Sequence, residues 1–189
     1  MEKRHRIFIA INLPNDIKKQ LAKYQDKWPE LPAKWTNKDN LHITFEFLGD
    51  LTDIEIAKVC KVAGEVTARH GSFPITLSKV IYGPPNKVPP RMIWVKGESG
   101  KESLDLKNDL EESLLKEVNF KPDIKGFTPH ITLARISAFG FREINPDEIP
   151  EVNENIDLSF TIESIEVMES QLKRGGLQYT ILESVSLKP

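Results

Sequence analysis

At 189 residues, 39% of them hydrophobic and 29% charged, the chain can bury one sizeable core or two small lobes sharing an interface, and no low-complexity run marks it as disordered. Its 26 basic against 28 acidic residues, a net charge of -2, exclude a protein that coats nucleic acid through many phosphate contacts, yet leave room for a local basic site that reads one or two. Cys60 is the only cysteine, so no intramolecular disulfide is available and the cytoplasm is the expected compartment; the apolar N-terminal run breaks at Asn12, too soon for a signal peptide core or a membrane span.

"RIFIAINL" (6–13) is β-branched and aromatic and predicts a strand, and Pro14 opens a short helix whose apolar stripe is Ile17, Leu21, Tyr24 and Trp28 before Pro29 and Pro32 stop it. "LHITFEFLG" is the next strand, ended by Gly49. Thr52 and Glu55 then form a capping box for a helix with Ile56, Val59, Cys60, Ala63 and Val66 on its core face. A strand follows over 73–82, then the proline-rich "GPPNKVPP", so the internal boundary is expected near 83–90. Beyond it come a strand over 91–97, a helix opened by Ser99 and Glu102 with Leu106, Leu110, Leu114 and Val118 on one face, and the strand "PHITLAR". The C-terminal "IDLSFTIESIEVMES" and "GLQYTILESVSL" predict a long hairpin turning at 173–176.

The order strand, helix, His-x-Thr strand thus occurs twice. His42 and His130 lie 88 residues apart in a chain of 189, as duplication of one supersecondary unit would produce. The expected fold is α+β, one domain over 1–189 of two pseudo-twofold-related lobes with two sheets, helices on the outer faces and the two His-x-Thr strands in a central cleft. Because strand side chains alternate, His42 and Thr44 face one way and Ile43 and Phe45 the other, and likewise His130 and Thr132 oppose Ile131 and Leu133.

Two imidazoles and two hydroxyls suit in-line displacement at a phosphodiester. One imidazole activates the attacking oxygen, the other protonates the leaving oxygen, and the hydroxyls hold the phosphate. A two-histidine zinc site competes, but catalytic zinc needs a third protein ligand and the sequence has no HExxH or cysteine pair; neither metal nor cofactor is expected. His5, in a charged tail, and His70, at a helix end before Gly71, read as structural.

"RIFIAINLP", "KWTNKDNLHITFEFLGD", "PPRMIWVKG", "FTPHITLAR" and "VMESQLKRGGLQYTILESVSL" together resemble the two-histidine phosphoesterase superfamily, most closely its bacterial and archaeal RNA 2′,3′-cyclic phosphodiesterase branch, also called 2′-5′ RNA ligase. The resemblance spans almost the whole chain. It implies a bilobal α+β fold and hydrolysis of RNA 2′,3′-cyclic phosphate ends to 2′-phosphate, with reversible 2′-5′ ligation as a side activity. By resemblance His42 is the proton donor to O3′ and His130 the proton acceptor that activates water; Thr44 and Thr132 hold the phosphate, and Arg135 contacts phosphate or stacks on a base. Strand parity turns Arg135 away from His130, as it turns Phe47 away from His42, unless a bulge near the strand ends re-aims both. Phe47 is then either a base-stacking ring or core packing. Phe45 departs from the aliphatic residue usual in the family and, on the back face, should affect only packing.

The partners so implied are RNA ends or nucleotides with a 2′,3′-cyclic phosphate, with no membrane and a monomeric chain. An RNA-end binding module without turnover, and a phosphodiesterase for a small non-RNA cyclic phosphate, are the alternatives.

Overall fold

Thirteen segments that the apolar patterning largely marks out become β1 (His5–Asn12), α1 (Asn15–Ala22), β2 (Ala33–Trp35), β3 (His42–Leu51), α2 (Asp53–Thr67), β4 (Phe73–Gly83), β5 (Met92–Gly97), α3 (Lys101–Leu115), β6 (His130–Ile136), α4 (Ala138–Arg142), β7 (Asn153–Ile162), β8 (Ser164–Lys173) and β9 (Gly176–Ser186). The computed structural model describes residues 3–98, 100–123, 126–174 and 176–189. The capping box at α2 forms as expected: Glu55 N–H donates to Thr52 Oγ1 at 3.3 Å, and Thr52 N–H donates to the Glu55 carboxylate at 2.8 Å. α3 is capped by Gly100; Ser99, expected to open it, lies outside the described residues. The first helix is shorter than its apolar stripe. It ends at Ala22 and tightens into a 3-10 turn over Lys23–Asp26, while Tyr24 and Trp28 still stack at 6.0 Å ahead of Pro29.

The expected pair of sheets is corrected. One antiparallel sheet runs in the order β7-β4-β5-β6-β3-β1-β8-β9, with β2 added alongside β6. The reason lies at its centre, where β3 and β6 pair with each other through Ile43 and Ile131. An unpaired strand edge leaves backbone donors and acceptors open, and the outer edge of β6 is shared between β3, at Ile131, and β2, at Ala134, Arg135 and Ile136. The β3–β6 joint is one ladder pair long, so each half, β7-β4-β5-β6 and β3-β1-β8-β9, is far better bonded within itself than to the other. The C-terminal hairpin is also corrected. Its first arm divides at Glu163 into β7, which joins β4, and β8, which joins β1, so the chain crosses from one half to the other there. Only β8 and β9 form the hairpin; of its turn, Gly175 lies outside the described residues.

The helices expected on outer faces pack on one side of the sheet. α2 lies on β8, β9 and α3, and α3 lies on β3. Leu106, Leu110 and Leu114 of α3 and Val59, Ala63 and Val66 of α2 are fully buried, in one cluster with Ile9, Ile43, Val95 and Ile131 from both halves. At roughly 1.5–3 kcal/mol for each such side chain, this shared core holds the joint that the short β3–β6 ladder alone would not. The opposite face carries the functional strands' polar side chains. Among the described residues no helix is long and apolar enough to cross a membrane.

Candidate active site

The two His-x-Thr strands carry the same irregularity at the same place. Along β3, His42, Ile43 and Thr44 face Asn12, Ile11 and Ala10 of β1, and then Glu46 and Phe47 face Ile9 and Phe8, leaving Phe45 as an extra residue. Along β6, His130, Ile131 and Thr132 face Lys96, Val95 and Trp94 of β5, and then Ala134 and Arg135 face Ile93 and Met92, leaving Leu133 extra. A bulge resets strand parity, so the residue five places after each histidine returns to the histidine's own face. Arg135 and Phe47 therefore both reach the site face. Phe47 is 64% exposed there, which removes the core-packing reading of its ring, whereas Phe45 is buried on the back and stacks on Phe127 at 4.9 Å.

The register set by Ile43 and Ile131 puts His42 across from Thr132 and Thr44 across from His130. The four side chains mark the corners of a square with the imidazoles on one diagonal, which in a regular antiparallel ladder spans roughly 7–8 Å. Each imidazole is tethered identically: His42 Nδ1 lies 2.7 Å from the Asn40 carbonyl and His130 Nδ1 lies 2.8 Å from the Thr128 carbonyl. A carbonyl only accepts, so Nδ1 carries the hydrogen in both rings and Nε2 is left as the nitrogen able to take up a proton. His42 Nε2 meets Thr44 Oγ1 at 3.0 Å.

Burial depresses both imidazole pKa values below the ordinary histidine range, against the opposing pull of the Asn40 and Thr128 carbonyls. For His42 the cations Lys18, His130 and Arg135 add to the depression. Lys18 is a buried lysine of α1 that donates to the Asp39 carbonyl at 3.0 Å, its own pKa lowered by burial. The cations Lys18 and Arg135 around His42 make a setting that favours an anion.

Several neighbours were not legible beforehand. Trp94 stacks face to face on His130, centroids 3.8 Å apart and planes at 25°. Gly83 makes room for that indole, because a Cβ there would stand 2.3 Å from Trp94 Cδ2. Phe8 and Tyr179 bracket His42, each at 5.1 Å, the tyrosine edge-on. Met92 sulfur accepts from Trp94 Nε1 at 3.4 Å and lies 3.8 Å from Arg135 Nη1. Phe8, Trp94 and Met92 come from strands beside the motifs and Tyr179 from β9, two strands beyond β1, so the missing signal was sheet order and register, which alternation alone does not set. Lys18 stands off the apolar stripe of Ile17, Leu21, Tyr24 and Trp28, so that stripe does not point to it. His5, bonded to Glu169 at 2.6 Å, and His70, bonded to Asp109 at 2.9 Å, stand in ion-pair clusters outside the motif square.

The LigT-like phosphoesterase family model matches the chain twice, over residues 11–94 and 98–179, together nearly its whole length and in two repeats. An RNA 2′,3′-cyclic phosphodiesterase of Methanocaldococcus jannaschii is 26% identical over 180 residues, covering 94% of this chain and 98% of the relative. One from Thermotoga maritima is 28% identical over 185 residues, covering 94% and 92%. Among solved structures, E. coli LigT complexed with 3′-AMP superposes with a TM-score of 0.81 at 25% identity, covering 99% of this chain and 100% of that one. With the doubled motif, the matching repeats and homology to RNA 2′,3′-cyclic phosphodiesterases along almost the full chain, this protein belongs to the LigT-like phosphoesterase family.

Proposed function

We propose that the chain, 1–189, works as one two-lobed catalytic domain that hydrolyses RNA 2′,3′-cyclic phosphate ends to 2′-phosphate without a metal, and that it runs 2′-5′ ligation as a reverse side activity. The observation that carries this reading is the pair of identically tethered imidazoles, set on one diagonal about the Ile43–Ile131 pair with Nε2 left able to take up a proton in each. His130 Nε2 takes a proton from water as the water oxygen attacks phosphorus opposite O3′. The P–O3′ bond breaks and His42 Nε2 gives its proton to O3′, leaving a 2′-phosphate and a free 3′-hydroxyl. Thr44 and Thr132 donate to the non-bridging oxygens, and Arg135 supplies fixed positive charge. Burial is the main cause of the His42 depression and the cations add to it; the negative charge of a bound phosphodiester acts the other way and favours the protonated form this step needs.

Support for metal-free chemistry comes from the donor set: among the described residues no three His, Cys, Asp or Glu side chains gather as a metal site requires. A single cysteine fits action in the cytoplasm, where thiols stay reduced, and the chain is expected to act as a monomer on free RNA ends. Phe47, exposed on the site face, is available to stack on the terminal base.

The test is to incubate the protein, with EDTA, with a short RNA ending in a 2′,3′-cyclic phosphate and to identify the product. Release of 2′-phosphate that His42→Ala and His130→Ala each reduce by about 10²–10⁴ is expected. Loss of turnover in EDTA with restoration by zinc would replace this reading with a metal hydrolase, and binding without turnover would leave only an RNA-end receptor.

A further inference from the structure

A row of side chains crosses one half of the site face from the catalytic corner outward. Lys96 of β5 stands opposite His130, Lys79 of β4 stands opposite Lys96, and Asn155 of β7 stands opposite Lys79. Val95 and Val80, their chain neighbours, are fully buried on the back, which fixes the row on the site face. With strands about 4.7–4.9 Å apart, the lysines anchor roughly 5 and 10 Å from the His130 strand.

Two lysines directly opposite one another cost stability. Neither has an acidic partner among the described residues, whereas Lys27, Lys58, Lys61, Lys107 and Lys116 each do. The other half has no such pair at the start of its row: Asn12 stands opposite His42, and its backbone N–H donates to the Glu166 carboxylate at 2.9 Å. Arg6, on that half, stands opposite Asp50. An uncompensated, one-sided line of cations that begins at the catalytic histidine fits a chain of anions leading to it. Lys34 opposite Arg135 widens the same positive side.

We propose that Lys96 and Lys79 form a phosphate track on which the RNA lies 5′ to its reacting end, making the preferred substrate an oligonucleotide rather than a cyclic mononucleotide; this rests on the phosphodiesterase reading above. The flexible lysine stems follow the backbone as point charges and read no sequence. A short oligoribonucleotide ending in a 2′,3′-cyclic phosphate engages the track, and a 2′,3′-cyclic mononucleotide has no upstream phosphate to offer it.

The test compares both substrates with wild type, K79A/K96A and K79R/K96R, and measures the salt dependence of oligonucleotide binding by fluorescence anisotropy. The alanine pair is expected to lower the oligonucleotide-to-mononucleotide ratio of kcat/KM by roughly tenfold and to flatten the slope of log Kd on log salt by about 0.7 for each phosphate no longer neutralised. The arginine pair is expected to restore both. An unchanged ratio together with an unchanged salt slope overturns the track. If wild type opens neither substrate, the phosphodiesterase reading falls on its own, and the anisotropy arm still decides: weaker, less salt-sensitive binding by K79A/K96A upholds the track, and equal binding overturns it.

Discussion

Phe47 and Arg135 stand at the same place in two copies of one strand, each five residues after a histidine and each returned to the site face by the same bulge. One is an exposed ring and the other a cation. The halves of the sheet repeat the backbone, the bulge and the Nδ1 tether, and diverge in what surrounds each imidazole. His130 lies against an indole face with Lys96 beside it, while His42 lies between Phe8 and Tyr179 and feels the cations Lys18, His130 and Arg135. Behind the bulges the halves differ again: Glu46 is a buried acid paired with Lys107 of α3, where the other copy has Ala134. Duplication supplied the shared geometry, and substitution around it gave the two imidazoles different surroundings.

The comparison breaks most sharply at the leaving group. On an aryl phosphodiester whose leaving oxygen needs no proton, His42→Ala should recover most of the 10²–10⁴-fold or so that it loses on RNA, while His130→Ala stays inactive. Recovery by the His130 variant instead would exchange the two roles.

Next in size is the buried pair present in one half alone. Glu46 is 4% and Lys107 7% exposed. Burial raises the Glu46 pKa against the pull of Lys107, and burial lowers that of Lys107, but hydrogen bonds from its ammonium to Glu111 and Glu46 outweigh burial and hold it up. Lys107→Met strands the Glu46 carboxylate and should cost about 3–5 kcal/mol in denaturant unfolding, most of it regained in Glu46→Leu/Lys107→Met. A single variant as stable as wild type would show the pair to be dispensable.

The smallest expected effect is in pH. Both imidazoles lie below their ordinary value, about 6.5, in the free protein, so the alkaline limb of kcat/KM should fall below that pH, with kcat, measured with phosphate bound, shifted upward. The same depression affects stability. The folded state binds these protons less readily than the unfolded chain, so the contribution is intact above about 6.5 and is lost as pH falls through the lowered folded values. A stability curve flat between neutral and mildly acidic pH, and identical in a double His→Asn variant, would contradict the burial of the pair.

Much of the candidate site could be read from the chain because its central side chains sit in a repeated tripeptide. His42, Thr44, His130 and Thr132 needed only strand alternation and the notice of a duplication. Phe47 and Arg135 needed more, since alternation alone turns them away and the bulge that returns them is a property of pairing with β1 and β5. Trp94, Phe8 and Tyr179 carry no local signal at all. Their place beside the imidazoles depends on which strands are neighbours and in what register.

The sequence by itself determined most of the elements, the duplication and the two His-x-Thr tripeptides, because periodicity, capping and residue chemistry act over a few neighbouring residues. Only the tertiary structure decided that the two lobes are halves of one sheet, that β7 and β8 part company at Glu163, and that each histidine has its own aromatic and charged surroundings. The physical reason is that strand pairing satisfies backbone groups regardless of side-chain identity. Edge choice and register therefore follow from what the whole fold can bury, and one pair, Ile43 with Ile131, sets the two active-site corners against each other.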